Sequence, residues 1–403
     1  MRLLFLTETI PFPLDSGGRI KTYHTLRALA GDHEVHVHAF IRDASQRRHA
    51  PELERFCAAL TLHLRPRSWA GEAVALVRSF AGGVPLTVVR HFDRSVLEDL
   101  ERACREQRFD AAYYDHLSML EYARRLPLPI IHDAHNVEFE LIRRHTATIG
   151  PLPAKVIAGR EWRLVKAYER ERYAECRLIF AVSERDAGSI RALAGGSADV
   201  RVIPISVDAR GTTPLGARPP EPALLYVGGL HWPPNADAVL YFVQEIWPLV
   251  RRDTPGATLT IVGRDDATAA RMLRETPGVR LAGYVDDVSP YFERARALVV
   301  PLRSGGGMRV KILETLARGL PVISTSIGYE GIDAVPGVHL LAADTPAGFA
   351  AEVRRAFHDD GLLQGLAGAG RKLVLERYDT QVVGLELGRA LSDFQANLGR
   401  CRR

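Results

Sequence analysis

PLRSGGGMRVKILETLARGLPVIST, Pro301 to Thr325, is the stretch that decides the fold. It reads as a strand, three glycines, a helix, and then Gly319 and Pro321 ahead of a second strand. A strand–turn–helix aims free backbone N–H groups and the positive end of the helix dipole at whatever lies above the turn. Three consecutive glycines let that backbone approach a ligand closely, at a conformational-entropy cost that an idle turn does not require. Arg309 and Lys311 fall at the start of the helix, where a cation opposes the dipole unless an anion lies between them. A diphosphate is the simplest occupant. Glu314 sits three residues past Lys311 on the same helical face, placed to accept hydrogen bonds from a ribose or sugar hydroxyl. The competing reading is an ordinary loop followed by a solvated helix face.

Outward from this stretch, β-branched runs recur at Ala223–Val227, Thr258–Val262, Val279–Ala282, Ala297–Pro301, Pro321–Thr325 and Val338–Leu341, with helical spacing between them. The first half repeats the alternation at Leu3–Thr7, Glu34–Phe40, Ala111–Tyr114, Pro129–His132, Leu178–Val182 and Val200–Pro204. Strand alternating with helix implies parallel strands joined by right-handed crossovers, with the useful loops at the strands' carboxyl ends. Ile205 to Pro222 is rich in Pro, Gly and small residues and reads as a linker. The expectation is α/β, with two Rossmann-like, doubly wound domains facing each other across a cleft. The domains expected are residues 1–205, residues 206–382, and a terminal helix over 383–403 crossing back to the first.

The 403 residues suit two cores rather than one. The composition, 46% hydrophobic and 25% charged, is that of a globular protein. The opening MRLLFLTETIPFP has too short an apolar run for a signal peptide or a membrane span, so a cytoplasmic location is expected. Cys57, Cys104, Cys176 and Cys401 are scattered without paired spacing, which argues against disulfides and zinc knuckles. The net charge of +5 is interleaved along the chain rather than blocked, which argues against nucleic acid but leaves an anionic membrane or a diphosphate open. Leu64 to Phe92, with Arg65, Arg67, Trp69, Val74, Leu76 and Phe80, reads either as a helix packed on the core or as an acceptor-side or membrane-facing element.

Taken in order, PFPLDSGGRIKTYHTLRAL, IIHDAHNVE, FAVSERD, VIPISVD, LLYVGG and LETLARGLPVISTSIGYEGI resemble the family 4 glycosyltransferases, retaining enzymes of the GT-B fold. The resemblance covers nearly the whole chain and implies that residues 1–205 are the acceptor-binding domain and residues 206–382 the nucleotide-sugar donor domain. It implies a nucleotide-diphosphate sugar as donor, no cofactor and no obligatory metal, because protein cations neutralise the diphosphate. It makes Glu314 the second Glu of the family's Glu, seven residues, Glu motif, with Gly306 standing where the first would be. The backbone amides of Gly306, Gly307 and Met308 are then expected to take up part of the donor contact. After LLYVGG the family's usual Arg is replaced by Gly229, which leaves phosphate neutralisation to Arg309 and Lys311.

In the first domain, Gly17 and Gly18 lie between the first strand and its helix, where such enzymes approach the diphosphate and acceptor; a plain tight turn is the alternative. The stretch GGRIKT, Gly17 to Thr22, lacks the spacing of a Walker A loop. Relatives often carry a His near the reacting carbon after the strand Ala111–Tyr114. Ungapped counting favours Asp115 and residue type favours His116, and the sequence does not separate them. His132, Asp133 and His135 end the next strand, His132 as a candidate for catalysis and Asp133 with His135 for acceptor binding. No further ligand spacing completes a metal set around His132 and His135. The function implied is transfer of a sugar to an acceptor hydroxyl on a saccharide, a lipid-linked molecule or a small molecule. A nucleotide-sugar epimerase and a non-catalytic two-lobe binding protein are the alternatives.

Overall fold

The computed structural model describes residues 1–401 apart from 67, 149–151, 217, 218, 220, 265 and 266. Arg67 and part of the linker therefore lie outside the described residues. The chain forms two compact units, Met1–Ile205 with the terminal segment from Val383, and Ser206–Val382.

The first unit carries a seven-stranded parallel sheet in the order β3-β2-β1-β4-β5-β6-β7. Its strands are β1 (Arg2–Thr7), β2 (Glu34–Ile41), β3 (Ala59–Leu64), β4 (Ala111–Asp115), β5 (Ile130–Ala134), β6 (Leu178–Ala181) and β7 (Asp199–Val202). The second carries a six-stranded parallel sheet, β10-β9-β8-β11-β12-β13. It is built from β8 (Ala223–Val227), β9 (Thr258–Val262), β10 (Val279–Gly283), β11 (Ala297–Val300), β12 (Val322–Ser324) and β13 (Leu341–Ala342). Both sheets are covered on two faces, so the central strands are buried: β1 from Leu3 to Thr7, and β4, β5, β6 and β11 along their whole length, with polar residues only toward their carboxyl ends.

Strand order reverses direction once in each sheet, between β1 and β4 and between β8 and β11. At such a switch point the crossovers leave to opposite sides, and a crevice opens outside the carboxyl ends of the two strands. The residues that matter for function should therefore follow Thr7 and Asp115 in one unit, and Val227 and Val300 in the other.

Two expectations shift. Ala59–Leu64 is a strand that the run-length reading missed, because an edge strand alternates apolar with exposed residues instead of forming a solid apolar block. The terminal helix expected over 383–403 starts earlier, as Thr380–Cys401, and is set off from the helix Asp360–Arg377 by a break at Tyr378 and Asp379. The buried Asp379 accepts the N–H of Gln381 (3.0 Å) and the N–H of Arg210 (3.1 Å), so it starts the last helix and ties it to the segment after β7. From Val383 onward that helix buries Val383, Leu387, Leu391 and Phe394 beside Leu3, Phe5 and Leu26 of the first unit's core. No helix among the described residues is long and apolar enough to cross a membrane.

Candidate functional site

At the switch point of the first unit, Asp115 is the hub. It ends β4 with no exposed surface, and its Oδ2 accepts from Thr7 Oγ1 (2.7 Å) and Thr22 Oγ1 (2.8 Å) while Oδ1 lies 2.7 Å from His135 Nε2. His116 Nδ1 is 3.0 Å from Oδ2, off the line of a good hydrogen bond but within ion-pair range, and its Nε2 is 3.8 Å from Glu8 Oε1. Burial would push the His116 imidazolium down, but Glu8 and Asp115 outweigh it and hold the group up at about 10, so it is charged at neutral pH. Burial and the charged His116 push His135 down, which leaves it neutral. With Nε2–H given to Asp115, its Nδ1 is an acceptor. The two rings lie tilted to one another with centroids 3.8 Å apart.

The helix Gly17–Asp32 starts directly over this pair. A Cβ placed on Gly18 would lie 3.7 Å from His116 Nε2 and 3.8 Å from His135 Nδ1, so a glycine there leaves the imidazoles open toward the helix N-terminus. His116 itself has φ 76° and ψ 150°, a region that glycine alone enters freely, at a cost of about 1–3 kcal/mol for any other residue. Backbone strain of this kind persists where the surroundings over-determine it, and here the hub on one side and Glu8 on the other do so.

Asp115 is fully buried and touches both imidazoles; His116 is partly exposed, and His135 is buried with Nδ1 on the Gly18 side. Two expectations are corrected. His132 has no exposed atom: Nδ1 lies 3.1 Å from the Tyr114 carbonyl and the ring stacks on Tyr173, so it offers nothing to a substrate. Asp133 is equally buried, with Oδ1 bound to Lys21 Nζ and Oδ2 accepting from Tyr113 (2.7 Å), which makes it a structural ion pair instead of an acceptor ligand. Burial lowers His132 to about 4, so below pH 6.5 folding must strip its proton, and the stability it contributes falls as pH drops from 6.5 toward 4. His132→Phe is expected to gain about 2 kcal/mol over wild type at pH 5 relative to pH 7.5, in denaturant melts, with activity retained.

Asp115, His116 and His135 also form a group among the described residues whose ligand atoms lie within 4.8 Å of one another. Both Asp115 oxygens are already committed to Thr7, Thr22 and His135, so the trio is a hydrogen-bonded hub more than an open coordination set.

At the second switch point the pieces are Gly228 and Gly229 after β8 and the glycine turn after β11. Lys311, on the helix Val310–Ala317, is half-buried, with Nζ 3.3 Å from Asn235 Oδ1 and 4.7 Å from the centroid of Tyr226. A Cβ on Gly228 would stand 2.6 Å from that Nζ, and one on Gly229 would stand 2.5 Å from the His231 ring. Gly228 therefore leaves room for the lysine against the backbone, and Gly229 for the His231 ring. Burial and the neighbouring Arg309 push the Lys311 amine down to about 7. Among the described residues no carboxylate pairs with it at close range; Asn235 is its near polar neighbour.

Arg309 precedes the helix, not within its first turn, and its Nη1 donates to the Gly306 carbonyl and, at 2.9 Å, to that of Gly307. It braces the turn, with Gly305 at φ 125° and Gly307 at φ 70°. Met308 buries its side chain and contributes to the turn through backbone alone. Glu314 is exposed on the helix face, its carboxyl raised by desolvation in its surroundings against the pull of Arg318 and Lys311.

Sequence reading missed Glu8, Thr7, Thr22 and Asn235. Their signal was position: Thr7 and Glu8 close β1 at the switch point, and Thr22 lies one turn into the helix that follows it.

Two family descriptions match the chain, Glycosyltransferase Family 4 over residues 16–210 and Glycosyl transferases group 1 over residues 221–359. A glycogen synthase of Mycobacterium tuberculosis is 34% identical over 205 residues, 47% of each chain, so this chain matches about half the length of that relative. Among solved structures, sucrose-phosphate synthase from Thermosynechococcus elongatus superposes with a TM-score of 0.72 at 16% identity, covering 98% of this chain and all of that one. HepE from Anabaena, solved with UDP-glucose, superposes with a TM-score of 0.66 at 13% identity, again over 98% and 100%. With two Rossmann-like parallel sheets and these matches over both units, the chain belongs to the family 4 glycosyltransferases and has the GT-B fold.

Proposed function

We propose that this chain transfers a glycosyl group from a nucleotide-diphosphate sugar to an acceptor hydroxyl, with retention at the anomeric carbon. The observation that carries the reading is Lys311, a half-buried amine set against Gly228 and Asn235, without a close carboxylate among the described residues, at the start of a glycine-led helix. Such a site is complementary to a diphosphate, and neutralisation by Lys311 and turn amides supports transfer without an obligatory metal. The acceptor oxygen forms its bond to the anomeric carbon from the face the nucleotide leaves. The bond to the β-phosphate oxygen breaks, and that phosphate takes the acceptor's proton. His135 Nδ1 and the charged His116 are the groups that orient the reacting sugars.

HepE was solved with UDP-glucose, so a uridine diphosphate sugar is the donor to test first. The family favours transfer over epimerisation or turnover-free ligand binding. A role in polysaccharide or glycolipid synthesis at the inner face of a membrane follows as an expectation from the same analogy.

Glu314 is the proposed ribose ligand. Glu314→Gln is expected to cost about tenfold to 150-fold in donor affinity or kcat/KM, the value of one charge-assisted hydrogen bond. Calorimetry of UDP, GDP, ADP and dTDP with both proteins checks it; a variant that binds its nucleotide and turns over like wild type removes Glu314 from the site.

A further inference from the structure

Beside Glu8 a pocket of about 210 Å³ opens in the first unit, and Arg42, Arg65, Arg78 and Arg90 line it along with Glu72. Glu8 is shared with the hub: it lies 3.8 Å from His116 Nε2 and accepts from Ser118 at 2.9 Å. A ligand in the pocket would therefore sit beside Glu8, which also faces the His116 imidazole.

The arginines are not all committed. Arg90 pairs with Glu72 at 2.7 Å, and Arg65 gives Nη2 to the Phe92 carbonyl at 2.9 Å. Arg65 Nη1, however, is buried without a hydrogen-bond partner, and Arg78 reaches no carboxylate among the described residues. A buried guanidinium N–H with no acceptor costs about 1–3 kcal/mol, which a bound oxyanion would recover. Guanidinium groups match phosphate bidentately and tolerate partial burial better than ammonium groups do.

One wall is the helix Trp69–Gly82. It lines the pocket with Gly71, Glu72, Ala75 and Arg78, and its opposite face leaves Trp69 94% exposed, Val77 67% and Phe80 53%. That helix buries only Ala75 and Ser79, so it is not the core-packed element that its apolar content allowed.

We infer that the acceptor carries a phosphate or diphosphate, seated in this pocket by Arg65 and Arg78 with Arg42 and Arg90 around it, and that its reacting hydroxyl is thereby brought to His116. The inference rests on the transfer reading for its role, but the binding site stands independently of it.

The test is calorimetry of the full chain, without donor, using inorganic diphosphate and a short prenyl diphosphate as probes. The proteins are wild type, R65Q/R78Q, R78Q alone and Lys311→Ala. A diphosphate-binding site that survives in Lys311→Ala, together with a loss of at least about tenfold in affinity at that site in R65Q/R78Q, is the expected result. A prenyl probe bound more tightly than inorganic diphosphate assigns the group to a lipid acceptor, which the exposed helix face would accompany; equal affinities assign it to a soluble one. Unchanged binding in R65Q/R78Q, or no binding of either probe by wild type, overturns the inference. If the double variant fails to fold, R78Q decides, because Arg78 is exposed. Absence of nucleotide-sugar turnover would sink the transfer reading while leaving this measurement intact.

Discussion

Lys311→Ala is expected to lower kcat/KM for the nucleotide-sugar by about 10²- to 10³-fold while the melting temperature stays level or rises. The loss is of the size found when one preorganised donor to a developing oxyanion is removed. The stability result follows from the same geometry: the ammonium is pressed against Gly228 and Tyr226 with, among the described residues, the Asn235 amide oxygen as its close polar contact, so the fold gains little from its charge. The amine's fall to about 7 adds a signature in pH. Below pH 7 it is charged before the donor arrives; above pH 7 a proton must be taken up on binding. Wild-type donor Kd should therefore weaken by up to about tenfold per unit above pH 7, with heats that depend on the buffer's ionisation enthalpy, and Lys311→Ala should abolish both. A melting temperature that falls in step with activity would instead make Lys311 part of the scaffold.

Asp115→Asn should be costly in both fold and function, about 3–5 kcal/mol in denaturant unfolding and at least 10²-fold in kcat/KM measured well below the melting temperature. Burial would raise the Asp115 carboxyl, but His135 and His116 overcome it and hold the group well below its usual range. The amide leaves the His116 cation with Glu8 alone and gives Thr7 and Thr22 a weaker acceptor, which is the broken-pair case for buried ions. The pH window follows from the signs. The depressed carboxyl contributes stability above about pH 4 that is lost as pH falls through its folded value. The raised His116 contributes stability fully present below about 6.5 and lost as pH rises through about 10. The difference between wild type and Asp115→Asn should thus be widest from about pH 4 to 6.5 and shrink toward pH 10. A gap that does not narrow on the alkaline side would mean that His116 is not held charged by the hub.

The donor half was legible because its signal is local. Three glycines, Lys311 and Glu314 fall within ten positions, and glycine has few other reasons to recur at a strand's end. Even there the sequence could not show that Arg309 turns back onto the carbonyls of Gly306 and Gly307, since a guanidinium's direction is set by the turn's shape. The acceptor half was legible only as a neighbourhood. Asp115, His116, His132, Asp133 and His135 all lie at the ends of adjacent strands, but side chains alternate between the faces of a sheet. That alternation sends His132 into the Tyr173 side and Asp133 toward Tyr113, while the residues beyond each strand end emerge at the switch point. Glu8 and the arginine pocket are assembled from β1, β2 and the segments after β3, and no spacing rule joins positions so far apart along the chain.

The helix Thr380–Cys401 bears on how the protein is made. Its residues from Val383 complete a core begun by Leu3 and Leu26, so the first unit to leave the ribosome is the last whose interior is filled. At ~5–20 residues per second the nascent chain waits roughly ten to forty seconds, while Ser206–Val382 is synthesised, with that groove uncovered. Chaperone demand should accordingly peak midway through translation, and messages cut short near codon 380 should yield insoluble product even though they encode both sheets entire.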